Sequence, residues 1–71
     1  MSPDFVRKST DRQPFQPFLV HLADGRSIPV LSPEFIELPE EGRLILLHHP
    51  DGSVHVVDLL LVTDLEFRPD K

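Results

Sequence analysis

Apolar residues recur along this chain in short runs broken by proline, glycine and aspartate, the pattern of β-strands joined by tight turns. The strongest such stretch is Arg43 to Asp58, which reads as one β-hairpin closed by His49-Pro50-Asp51-Gly52. Pro50 pre-sets φ for a type I turn, Asp51 accepts hydrogen bonds locally, and Gly52 takes the left-handed position of a glycine bulge. With His49 opposite Ser53, the expected pairs are His48 with Val54, Leu47 with His55, Leu46 with Val56 and Ile45 with Val57. Leu44, Leu46, Val54 and Val56 then share one face, and Ile45, Leu47 and Val57 the other. A hairpin apolar on both faces needs cover on both sides. The second face, Ile45, Leu47 and Val57, must be covered by the N-terminal segment or by another subunit, and it is the expected interface of a homo-oligomer.

A second hairpin is expected around Ala23-Asp24-Gly25. A three-residue loop with Gly25 left-handed sets Val20 opposite Ile28 and Phe18 opposite Val30, gathering Phe18, Val20, Leu22, Ile28 and Val30 on one apolar face. Pro29 has no amide hydrogen, so its backbone nitrogen must face solvent, a bulge or a strand end. Ser32-Pro33-Glu34 predicts one helical or 3₁₀ turn carrying Phe35 inward, with a short strand over 35–38 as the alternative. Asp58 is placed to cap a 3₁₀ turn over Leu59-Leu60-Leu61. Val62 to Phe67 then alternates as a half-exposed strand, with Thr63, Leu65 and Phe67 on one face and Val62, Asp64 and Glu66 on the other. At the start, Ser2-Pro3-Asp4 combines a hydroxyl cap, proline at the first helical position and an acid near the positive end of the dipole. Residues 1–13 form either a docked helix or a flexible arm. Pro14 and Pro17 hold Gln13 to Phe18 extended, with Phe15 and Phe18 as its anchors. The expected organisation is one domain over 1–71, with a strongly bent antiparallel barrel of five or six strands over 14–67 and a polar tail over 68–71.

Composition narrows the function more than it names one. Seventy-one residues bury only about 60% of their unfolded surface, and the chain has no cysteine with which to staple a small core. Self-association is the simplest source of further stability. The net charge of −5 repels a phosphate backbone, which counts against general nucleic-acid binding. Arg7, Lys8, Arg12, Arg26 and Arg43 are the basic candidates, and no aromatic is interleaved with them for base stacking. No apolar run reaches the length of a membrane span and the N-terminus lacks a signal-peptide pattern. A cytoplasmic protein without a membrane partner is therefore expected.

The order of a helix, a strand ending His21-Leu22-Ala23-Asp24-Gly25-Arg26, a bent strand, a hairpin, a 3₁₀ turn and a closing strand resembles that of Sm-like small β-barrels. The resemblance spans about Phe18 to Phe67 and implies subunits that pair edge strands into rings. The chain lacks the Asn-centred loop and the glycine-containing second motif with which that family binds RNA, so no RNA-binding residue carries over. The chain is also similar to a group of short bacterial proteins sharing Pro14 to Phe18, His21 to Arg26, Pro33 to Phe35 and Asp58 to Leu60. That likeness implies a bacterial source and imports no activity.

His48, His49, His55 and Asp51 form the one cluster with metal-ligand character. His49 and His55 share a face and are the candidate pair, but zinc needs three or four ligands, so a third would have to come from His21, Asp58 or another subunit. No cofactor is expected, and no nucleophile or glycine-rich phosphate loop indicates catalysis. The expected function is a non-enzymatic, self-associating interaction or scaffolding module, with itself and another protein as the candidate partners; Sm-like RNA binding and His-dependent metal binding are the alternatives.

Overall fold

In a computed structural model that describes residues 1–40 and 42–69, the chain is mainly β. Helix α1 covers Pro3–Asp11, followed by strands β1 Phe18–Leu22, β2 Ser27–Val30, β3 Ile36–Glu37, β4 Leu44–His48, β5 Val54–Asp58 and β6 Val62–Phe67. Two 3₁₀ turns, Pro33–Phe35 and Leu59–Leu61, stand before β3 and β6. No helix among the described residues is long and apolar enough to cross a membrane.

Both hairpins are built on the same turn. The carbonyl of Leu22 accepts from Gly25 N at 2.9 Å while Leu22 N donates to Arg26 O at 2.9 Å; His49 makes the same pair with Gly52 N and Ser53 O. In each, the aspartate before glycine accepts the amide two residues on, Asp24 from Arg26 at 3.1 Å and Asp51 from Ser53 at 2.9 Å. Gly25 and Gly52 have φ of 96° and 92°, where a side chain is strained. These turns set the registers expected from the sequence, Val20 with Ile28 and Ile45 with Val57. No atom lies within 4 Å of a Cβ built on Gly25, so backbone strain alone opposes a side chain there. Gly25→Ala should therefore lower stability by about 1–2 kcal/mol, read from the shift in a urea melt.

The strands pair into two three-stranded antiparallel sheets, ordered β2-β1-β6 and β3-β4-β5. The barrel expected over 14–67 is thus not closed. Ser32 and Pro33 interrupt what would be one bent strand between β2 and β3, because Pro33 has no amide to donate and opens a 3₁₀ turn. Phe35 is only half-buried at the end of that turn, and Ile36 is the residue carried into the core. Pro29 sits on β2, an edge strand, where a missing donor is tolerated.

β6 departs from the expected alternation. Its pairing with β1 slips between His21 and Leu22, so that His21 faces Asp64 while Leu22 faces Val62. The extra residue is Thr63, a bulge that returns Val62 to the core side with Leu65 and Phe67. Thr63 itself donates its hydroxyl to His21 O at 3.2 Å.

The core lies between the two sheets and under α1: Val6, Phe18, Val20, Leu22, Ile28, Val30 and Ile36, with Ile45, Leu47, Val57, Leu59 and Val62, are all buried. This overturns the expected interface. Ile45, Leu47 and Val57 are 1%, 0% and 5% exposed within a single chain, so their face is covered in cis. The helix α1, nine residues and too short to persist alone, contributes to the same core. It is capped by Ser2 Oγ, which accepts from Asp4 N and Phe5 N at 3.2 and 3.4 Å, and it buries Val6 completely. Burial of that one side chain is worth roughly 1.5–3 kcal/mol, which adds to the helix's own hydrogen bonds and cap in offsetting the entropy of ordering it.

Candidate functional site

The inward-facing residues of β2-β1-β6 leave Leu19, His21, Ser27, Pro29, Asp64 and Glu66 on its outer surface. Across that surface runs a chain of hydrogen bonds. His21 Nδ1 lies 2.8 Å from Ser27 Oγ, His21 Nε2 lies 2.7 Å from Glu66 Oε1, and Arg68 Nε donates to Glu66 Oε2 at 2.7 Å. The Arg68 hydrogen bond, then that of His21, holds the Glu66 carboxyl below its ordinary value. With Glu66 ionised, a neutral His21 must carry its hydrogen on Nε2 and accept from the Ser27 hydroxyl at Nδ1. This is the connectivity of an activated serine. Ser27 is exposed on the edge strand, however, and neither it nor His21 lines the groove beside them, so the array ties three strands together without enclosing a substrate.

That groove, of about 450 Å³, opens between the 12–17 segment, the outer side of β1 and β2, and the end of β6. Its walls are Pro14, Phe15, Pro17, Leu19, Pro29 and Leu31; Arg12, Gln16, Glu66 and Arg68 stand among the polar residues lining it. The segment bends at Gln13 and Pro14, which are joined by a cis peptide bond, rather than running extended from Gln13 as expected; Pro17 keeps Gln16 out of the helical region where the chain enters β1. Phe15 fixes it by stacking at 5.9 Å on Phe18, which meets Phe67 at 5.3 Å in turn. Arg12 Nη1 donates to Gln16 Oε1 at 2.7 Å, and Gln16 Nε2 donates to Arg68 O at 3.4 Å, so Gln16 links the two arginines.

The other sheet carries two further features. His49 Nε2 and His55 Nδ1 come within 2.8 Å, rings edge to face, so the pair expected from the hairpin register does meet. Among the described residues, no group of three or more His, Cys, Asp or Glu is arranged to hold a metal. His48 points to the opposite face and bonds Glu37 at 3.0 Å, while Asp51 Oδ1 is taken by Ser53 N and Oγ. The outer face of β4 and β5 exposes Leu44, Val54 and Val56, at 49%, 44% and 62%. Arg43 and Asp58, paired at 3.3 Å, bound that apolar strip at one end and His48 with Glu37 bounds it at the other.

Glu66 shares its lowered pKa with Asp24 and Asp51, which the backbone amides of Arg26 and Ser53 hold down. A carboxyl with a depressed folded value contributes stability above its ordinary pKa, 3.8 for aspartate and 4.5 for glutamate, and loses it as pH falls through the lower folded value. Thermal melts should therefore be flat near neutrality and fall in midpoint once pH drops below that range. Asp51→Asn should flatten part of that fall.

The groove could not be read from the chain, because its walls come from segments far apart in sequence. Comparison with known proteins finds no matching family model, curated protein or solved structure.

Proposed function

We propose that the chain is a non-enzymatic interaction module that associates with copies of itself through the outer face of β3-β4-β5. The exposed strip of Leu44, Val54 and Val56 carries this reading. Three large aliphatic side chains share one face of one hairpin, flanked by charged pairs, with β5 at the sheet edge. An apolar face next to an unpaired strand edge suits both sheet packing and strand addition by a second copy. The chain order of helix, hairpin, broken strand, hairpin, 3₁₀ turn and closing strand supports an Sm-like arrangement, in which edge strands join subunits. A cysteine-free chain suits the reducing cytoplasm. RNA binding has less support: Arg7 and Lys8 of α1 and Arg12 just after it line a depression together with Asp4 and Asp11, which neutralise much of their charge.

Light scattering behind size exclusion tests the proposal. At tens of micromolar the expected mass is a multiple of 8.1 kDa, and a sharp 8.1 kDa monomer at that concentration refutes it.

A further inference from the structure

The groove beside Glu66 lies on the sheet opposite the proposed association face and plays no part in it. Its volume of about 450 Å³ falls in the range of small-molecule sites, roughly 300–1,000 Å³. Its walls are also held before any ligand arrives: Phe15 is anchored on the core through Phe18, and Glu66 is fixed from both sides by His21 and Arg68. Little ordering is then left to oppose binding.

Charge selects the ligand. Among the described lining residues, Arg12 and Arg68 bring two guanidinium groups and Glu66 one carboxylate, one excess positive charge in a chain whose net charge is −5. Among the described residues, Arg12 spends only Nη1, on Gln16, and Arg68 only Nε, on Glu66. Both side chains are exposed and keep paired N–H groups for an incoming oxyanion. One excess charge matches a carboxylate monoanion better than a phosphate dianion. The proline, Phe15, Leu19 and Leu31 surfaces take an apolar body and offer it no further charged partner.

We infer that this groove binds a small apolar carboxylate, its hydrocarbon part against Leu19, Pro29 and Leu31 and its head group at Arg12 and Arg68. Decanoate, kept below its micelle concentration, is the probe. Titrated into the ¹⁵N-labelled full chain, it should give saturable shifts at the amides of Gln16, Leu19, Leu31 and Arg68. Leu31 is 57% exposed, so Leu31→Glu should preserve the circular dichroism spectrum while weakening decanoate at least tenfold. Arg12→Gln and Arg68→Gln should each weaken it several-fold, and decanol should bind at least tenfold more weakly than decanoate. The inference is overturned if decanol matches decanoate, if both arginine variants bind as the parent does, or if no saturation is reached. Shifts that gather on Leu44, Val54 and Val56 overturn it too, because the ligand is then coating the association face. Self-association read by light scattering on the same samples reports on the proposed function separately.

Discussion

Leu47→Ala should remove about 2–5 kcal/mol of stability, the cost of a cavity at a fully buried leucine. Leu47 lies on β4, the central strand of its sheet, between Ile36 and His55, where no backbone edge is free to move into the space. For a chain of this size the whole folding free energy is roughly 4–10 kcal/mol. The variant should therefore lose roughly half of that free energy, and its urea midpoint should fall in proportion. A loss under about 1 kcal/mol would mean that the face of Ile45, Leu47 and Val57 is not the core. Ile45→Glu on the same face should abolish β circular dichroism outright, because the charge would be buried without a partner. Dissociation into folded monomers is the outcome to expect only from a surface residue.

Val56→Lys should do the converse. Val56 is next to Val57 in the chain but on the opposite face, 62% exposed and paired with Leu46 on an edge strand. A lysine there costs the folded monomer little, within about 0.5 kcal/mol. In an association face it meets its own copy, adding like charges and desolvating an ammonium. The scattering mass should fall to 8.1 kDa while the urea midpoint of the monomer holds. If the variant keeps the parent's mass, the strip of Leu44, Val54 and Val56 is not the contact surface. The pair Val56→Lys and Leu47→Ala thus separates a surface role from a core role within one hairpin.

Local chemistry made the turns legible. Gly25 and Gly52 had to take positive φ, the aspartate before each could cap the turn, and once the turn is set the period of two fixes every pair in the hairpin. Asp58 as a cap followed from the same reasoning, and its Oδ1 accepts Leu60 N at 2.9 Å. Even His49 and His55 could be placed on one face, because their separation across the hairpin depends only on register.

Most of what failed depended on distant chain. In β6 two polar residues, Thr63 and Asp64, stand together between Val62 and Leu65, and a strict period of two carried across them set Val62 on the polar face; the bulge at Thr63 falls at that break in the alternation, where the pairing of β6 with β1 slips. The array of Ser27, His21 and Glu66 and the walls of the groove needed the β1–β6 pairing and the path of the 12–17 segment. The closed barrel failed at Ser32 and Pro33, where the turn was foreseen but its effect on hydrogen bonding between strands was not.

Both hairpins, their registers, the 3₁₀ turn after Asp58 and the helix cap follow from residues within a few positions of one another. Which apolar face of β4 and β5 is inside depends on packing between distant segments. Period-two alternation sorts residues into two faces but carries no sign, and when both are apolar the choice belongs to whatever packs against them. Here Ile45, Leu47 and Val57 join one core with residues of α1 and the opposing sheet, and Leu44, Val54 and Val56 are left to the surface.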